Sequence, residues 1–131
     1  MKRILNTRVL LNAVAAVTLS ESKLIEDYRH GVINVITTGF TGTIKVKISD
    51  QELPPDFSAA STPTNHWSYV DLKGRDDGGV TIVGVTGIVH TTDTSNASFA
   101  INTDSVRWVA VHVEARAAGS VSVLLSAANN D

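Results

Sequence analysis

The four histidines are the first candidates for chemistry, because a neutral imidazole can bind a metal ion or transfer a proton near neutral pH. They are His30, His66, His90 and His112. No two of them have the i, i+2 spacing of ligands on one strand or the i, i+4 spacing of ligands on one helix. The chain has no cysteine, which excludes disulfides, thiolate zinc sites and a thiol nucleophile. We therefore predict no metal-binding residue.

Two further patterns could carry chemistry. Asp71, Asp76 and Asp77 precede a pair of glycines, but the calcium-loop spacing and its closing glutamate are absent. A turn in which short carboxylates accept hydrogen bonds from nearby backbone explains these residues better. Ser20 and Lys23 have the spacing of a serine nucleophile and its activating lysine, but the companion motifs of such hydrolases are absent. We predict no catalytic or cofactor-binding residue, and a protein that is not an enzyme.

Aromatic residues make up only 5% of the chain, so their positions are informative. Trp67, Tyr69 and Trp108 could form a platform on which sugar rings stack. They could equally be interior or interface residues whose size fills the gap between two sheets. We favour the second interpretation.

Alternation of apolar and polar residues is the clearest structural signal, because successive side chains of a strand point to opposite faces. In residues 43–49, Ile44, Val46 and Ile48 are expected to face a core, and Lys45 and Lys47 to face water or a partner. Residues 107–115 place three valines on one face and a mixed set on the other, which indicates a strand partly covered on both sides. Residues 121–125 alternate in the same way. For residues 8–19 the pattern allows strand or helix, and strand fits better.

Residues 32–37, 67–72 and 80–89 are rich in β-branched or aromatic residues and add further strands. Glycine-containing segments between them predict tight connections, because glycine reaches positive φ without a steric penalty. These segments are Gly39-Phe40-Thr41-Gly42, Asp76-Asp77-Gly78-Gly79 and Ala118-Gly119. The spacing predicts an all-β fold of about eight strands, an antiparallel, jelly-roll-like β-sandwich.

Residues 52–65 have no periodicity and contain all three prolines of the chain, Pro54, Pro55 and Pro63. Proline lacks the N–H that a central strand needs, so this segment is predicted to be an exposed loop. Loops of this length in a compact domain are commonly functional or lie against a neighbour.

The 131 residues suit one domain, which we predict to span residues 1–131 with short arms at 1–7 and 129–131. The net charge of −2 does not favour binding to nucleic acid or to an anionic membrane. No run approaches the roughly 18 apolar residues of a membrane span. Only 18% of residues are charged, which suits a surface partly covered by neighbours.

Several segments together resemble the small β-sandwich virion proteins of tailed bacteriophages. They are Leu10-Leu11-Asn12-Ala13-Val14, residues 39–47, Pro55-Asp56-Phe57-Ser58, residues 63–67, residues 102–109 and residues 118–123. The resemblance runs over most of the chain and consists of turns and strands, with no catalytic signature. It implies a virion component such as a capsid decoration or cement protein, or a neck, tail or fibre subunit.

The resemblance therefore implies a non-enzymatic structural protein of the virion, assembled in the host cytoplasm. We predict first a capsid decoration or cement protein packed against the major capsid protein or other virion subunits, and second a neck, tail or fibre component. We expect a homo-oligomer with no nucleic-acid or membrane partner. Pro54, Pro55, Phe57 and Trp67 are the predicted contact residues. The alternative from another class is a carbohydrate-binding or receptor-binding module, which requires Trp67, Tyr69 or Trp108 to be exposed in a shallow groove.

Overall fold

The fold is known from a computed structural model that describes residues 3–25, 28–75 and 79–130. Across those ranges every regular element is a β-strand, and no helix is found that could cross a membrane. The strands are β1 (Arg3–Val14), β2 (Thr18–Leu19), β3 (Lys23–Leu24), β4 (His30–Ser49), β5 (Ser68–Tyr69), β6 (Leu72–Gly74), β7 (Thr81–Ile82), β8 (Ile88–Asn102) and β9 (Trp108–Asn130). The prediction of an all-β antiparallel fold is confirmed.

All nine strands belong to one hydrogen-bonded sheet whose ladders are antiparallel. Its main path runs β1-β9-β4-β8-β6-β7. β2 and β3 pair with the first part of β9, and β5 pairs with the last part of β4. The long strands β4, β8 and β9 therefore form the frame to which the short strands attach.

The three long strands bend at the same level. Gly39 of β4, Thr92 of β8 and Gly119 of β9 have positive φ values of 55°, 50° and 75°. The register between β4 and both of its long neighbours shifts at this level. Such bulges increase the local twist and let a strand turn without ending. Each long strand therefore contributes one segment before the bend and one after it.

One buried apolar cluster contains residues from both sides of the bend. On β4, Ile33 and Val35 come before the bend, Ile44 and Val46 follow it, and Phe40 lies at the bend itself. All five are at most 1% exposed. β9 contributes Val109, Val111 and Val113 before the bend and Val121, Val123 and Leu125 after it. The sheet therefore encloses a single core in a sandwich-like arrangement.

Two segments predicted as tight connections are in fact these bends, and that prediction was wrong. Residues 39–42 lie inside β4, and residues 118–119 lie inside β9, so the sequences on either side are single long strands. Positive φ at glycine produces a bulge here and does not reverse the chain. Residues 76–78 of the third predicted connection lie outside the described residues.

The two ends of the chain pair with each other. Residues 3–7 of β1 lie opposite residues 126–130 of β9. The predicted arms are therefore strand ends over residues 3–7 and 129–130, while residues 1, 2 and 131 lie outside the described residues. Residues 8–19 contain the end of β1 and the whole of β2, so strand is the correct alternative for them.

Candidate interaction surface

Residues 51–67, called the proline loop below, connect β4 to β5 without a strand of their own. The side chain of Asn65 organises the loop. Its Oδ1 accepts a hydrogen bond from the Asp56 N–H at 2.7 Å, and its Nδ2 donates to the carbonyls of Asp56 at 3.0 Å and Ala60 at 3.2 Å. Thr62 and Asn65 also exchange backbone hydrogen bonds of 3.1 and 3.2 Å. Short polar side chains thus give this segment a defined shape.

Both ends of the proline loop are attached to the sheet. Ser49 Oγ donates to the His66 carbonyl at 2.6 Å, and Trp108 Nε1 donates to the Gln51 carbonyl at 3.0 Å. Gln51 Oε1 in turn accepts a hydrogen bond from the His66 N–H at 2.9 Å. These bonds join the loop to the end of β4 and the start of β9.

We call the sheet face beneath the loop the covered face. Residues directly opposite each other on a ladder lie on the same face, so the register defines its members. Lys45, Lys47 and Ser49 of β4 lie opposite His112, Ala110 and Trp108 of β9, and Tyr69 of β5 lies opposite Lys47. Trp108 and His112 are half-buried, which confirms the predicted partial covering of this side of the strand.

Lys47 lies under the proline loop and is only 4% exposed. Its Nζ donates to the Phe57 carbonyl at 2.8 Å, and it lies 4.3 Å from the Trp67 ring centre and 5.8 Å from that of Tyr69. A carbonyl oxygen and aromatic faces both attract a cation. Burial lowers the pKa of Lys47, while Glu114 opposes that shift. The expectation that Lys47 faces water or a partner is therefore corrected, because it faces the protein's own loop.

Lys45 lies one row away on the covered face and is better solvated. Its Nζ forms an ion pair of 2.8 Å with Glu114 Oε2 and lies 5.1 Å from the Tyr69 ring centre. His112, opposite Lys45, has a buried Nδ1 that finds no hydrogen-bond partner among the described residues. Burial lowers the pKa of His112, and the positive charges of Lys47 and Lys45 act in the same direction.

The four predicted contact residues lie at different depths. Pro54 is exposed and Trp67 is half-buried, but Pro55 is buried and Phe57 is only 3% exposed. The Phe57 ring packs on that of Trp67, with 6.5 Å between ring centres. Pro55 and Phe57 therefore support the loop from inside, and the largest exposed apolar side chain of the loop is Leu53, which is 72% exposed and adjoins the exposed Pro54. Contact of this surface with a partner stays a prediction.

The aromatic residues do not form a flat platform. Trp67 and Tyr69 are nearly perpendicular, with 83° between their planes and 5.2 Å between ring centres. Trp67 Nε1 donates to the Ala59 carbonyl at 2.8 Å, and Lys47 already lies over the Trp67 ring. This geometry favours a packing role over sugar stacking.

His90 is another buried polar residue, located next to the bend. It is 7% exposed, its Nδ1 lies 3.0 Å from Asp93 Oδ2, and its ring packs edge-on against Phe40. Its Nε2 has no hydrogen-bond partner within the described ranges. A cleft of about 370 Å³ lined partly by Thr41 and Arg116 lies beside it. In the part of the chain that the structure describes, no three acidic or histidine side chains are grouped to hold a metal ion.

The remaining sequence candidates that the structure describes have hydrogen-bond or ion-pair partners within the fold. Ser20 Oγ accepts a hydrogen bond from the Val111 N–H at 2.9 Å and donates to the Glu21 carbonyl at 3.1 Å. Lys23 Nζ lies 3.5 Å from Glu21 Oε2. Asp71 Oδ1 accepts a hydrogen bond from the Gly84 N–H at 2.7 Å, so for Asp71 the prediction of a bond to nearby backbone was wrong, because its partner lies 13 residues further along the chain. Asp76 and Asp77 lie outside the described residues.

The solved structures that share this fold include those of the proteins YomS and XepA. The SPBc2 prophage-derived protein YomS has a TM-score of 0.74 and 11% sequence identity, with 98% of this chain and 96% of that chain covered. The PBSX exported protein XepA has a TM-score of 0.74 and 10% identity, with 98% of this chain and 39% of that chain covered. At these identities the likeness establishes the fold. No family model and no curated protein matches the chain.

Proposed function

We propose that this protein is a non-enzymatic structural protein of a tailed-phage particle, bound to the shell as a decoration or accessory protein. Its partners are the major capsid protein and further copies of itself. It joins the particle in the host cytoplasm and stays in the virion. It uses no cofactor, and neither nucleic acid nor membrane is its ligand.

The observation that carries this proposal is the origin of the two fold neighbours. YomS is described as a prophage-derived protein and XepA as a PBSX exported protein, and both alignments cover 98% of this chain. A fold shared with a prophage-derived protein supports a phage origin for this chain. The match to YomS also covers 96% of that protein, so the comparison concerns whole chains.

The surface supports packing against other subunits. Val83, Val85 and Val89 are 54%, 60% and 65% exposed and follow one another closely along the chain. Leu53 adds an exposed apolar side chain at the proline loop. These exposed apolar side chains are available for contact with another subunit. Many copies on a symmetric shell need only modest contacts each, because multivalent attachment multiplies weak affinities.

A neck, tail or fibre position is the nearest alternative within the virion. XepA is an exported protein, which supports a second candidate for this chain, a function outside the assembled particle. A carbohydrate-binding or receptor-binding module is less well supported, because Trp67 and Tyr69 are perpendicular and Lys47 covers one ring face.

Quantitative mass spectrometry of gradient-purified particles tests the proposal. We expect the protein in the particles at a fixed ratio to the major capsid protein, in a copy number comparable with that of the shell subunits. A few copies per particle would indicate the neck, tail or fibre. Recovery only from the medium or the cell lysate, with none in the particles, would overturn the virion role.

A further inference from the structure

His112 occupies a place on the covered face that suits a neutral imidazole and disfavours an imidazolium. Its Nδ1 is buried without a hydrogen-bond partner among the described residues. A neutral imidazole can leave that nitrogen as an empty acceptor, whereas the protonated ring carries an N–H on both nitrogens. Protonation would therefore bury a donor that has no acceptor, which is unfavourable.

The charges around His112 add to this effect. On β4, Lys45 lies directly opposite it and Lys47 lies one row further, and both side chains are cationic. Glu114 on β9 is the nearest compensating charge, but it already pairs with Lys45 at 2.8 Å. The titratable group of β5 is the Tyr69 phenol. β2 presents the uncharged Leu19 opposite His112, and the proline loop presents the Phe57 carbonyl and the Trp67 indole over Lys47.

We propose that mild acid releases the proline loop from the covered face, with His112 as the trigger and Lys47 as the latch. When His112 gains a proton, it becomes a third cation beside Lys45 and Lys47 in a partly buried space. Lys47 can relieve the repulsion by moving its ammonium group away from the Phe57 carbonyl and the Trp67 ring. That movement removes the contacts between the middle of the loop and β4. The proposal does not depend on the virion role.

The pH range follows from the direction of the shift. Burial, followed by the charge of Lys47, lowers the pKa of His112 below its ordinary value of 6.5, and Glu114 acts in the opposite direction. The unfolded or released form then binds the proton more readily than the closed form. The closed loop is fully stable above pH 6.5 and loses stability as pH falls from 6.5 toward the lowered pKa.

Hydrogen exchange measured by mass spectrometry on the full chain tests this inference, at about pH 7.5 and about pH 5, on the two sides of histidine titration. After correction for the intrinsic pH dependence of exchange, we expect amides of residues 51–67 to lose protection by roughly tenfold, which corresponds to 1.4 kcal/mol of opening free energy. Amides in the β4–β9 ladder should keep their protection. Loss of protection throughout the sheet would mean global acid unfolding and would overturn the proposal.

Two histidine variants separate the trigger from other effects. His112→Gln should remove the pH response of the loop. His66→Gln is the matched control, since His66 lies in the loop itself and its side chain is 59% exposed near Asp50, and it should retain the response. A response that survives in His112→Gln, or that is lost in His66→Gln, contradicts the mechanism.

If His112→Gln does not fold, NMR titration of the wild-type protein replaces it. The resonances of the loop must then change with the same titration midpoint as the His112 ring. A different midpoint would show that His112 does not control the loop.

Discussion

Gly119 lies against Gly39 at the level where β4 and β9 bend. A Cβ atom added to Gly119 would come within 2.2 Å of the Gly39 carbonyl oxygen and within 2.5 Å of the Thr38 carbonyl oxygen. A Cβ atom added to Gly39 would have nothing within 4 Å. Both glycines have positive φ, so they share a conformation but differ in the space around them.

This difference predicts unequal effects of alanine at the two positions. Gly39→Ala should lower the free energy of unfolding by about 1–2 kcal/mol, the cost of a left-handed conformation for a residue with a Cβ atom. Gly119→Ala should lower it further, by at least roughly another 2 kcal/mol, because the methyl group meets backbone oxygens that cannot move independently. Urea unfolding of the two variants measures both values. Equal losses would show that β4 and β9 are not in contact here.

The same glycines show where sequence reasoning succeeded and where it stopped. The alternation of Ile44, Val46 and Ile48 correctly predicted a strand, because the side-chain period of two is a local property. A glycine with positive φ, however, serves a hairpin turn or a bulge equally well. Whether a hairpin turn or a bulge forms depends on whether the neighbouring strands continue past that level. That information lies in the pairing of residues far apart in the sequence, so residues 39–42 and 118–119 were assigned as chain reversals.

Lys47 shows a second limit of local patterns. Alternation placed it correctly on the face opposite Val46 and could not indicate what covers that face. The relevant signal is the long segment with three prolines that follows the strand, because such a loop must lie against something. The loop was predicted correctly. Its folding back onto Lys47 depends on the Phe57 carbonyl and the Trp67 ring, whose positions the sequence does not specify.

Phe57 should matter for stability far more than its place in a loop suggests. Because the ring is 3% exposed and packs on Trp67, Phe57→Ala should lower the free energy of unfolding by roughly 3–5 kcal/mol. Leu53→Ala, in the same loop but 72% exposed, is the control and should change it by less than about 0.5 kcal/mol. Thermal or urea unfolding measures both. Similar values for the two variants would mean that the loop is not packed on the covered face.

Lys47 should make an unusual contribution to stability in alkaline solution. Burial lowers its pKa in the folded protein below the ordinary value of 10.5. Between those two values the folded form binds fewer protons than the unfolded form, so the free energy of unfolding should rise with pH. Lys47→Met removes the titrating ammonium group. The free energy of unfolding of the wild type, relative to that of the variant, should therefore increase as pH approaches 10.5. Urea unfolding across this range provides the measurement, and a shift in favour of the variant would contradict the burial of the ammonium group.

The outer surface of the proline loop is where attachment to the particle is expected to fail first. Leu53 is 72% exposed, so Leu53→Asp should leave folding intact while placing a charge in any apolar contact. An unpaired charge buried in an interface typically costs several kcal/mol. We therefore expect the variant to be lost from gradient-purified particles, or to bind particles that lack the protein at least about 100-fold more weakly, a change equivalent to roughly 2.8 kcal/mol.

Val17→Asp, at a position 59% exposed between β1 and β2, serves as the control for added charge and should bind normally. If both variants co-sediment with particles as the wild type does, the proline loop is not the contact. If both are lost, attachment does not depend on this loop in particular.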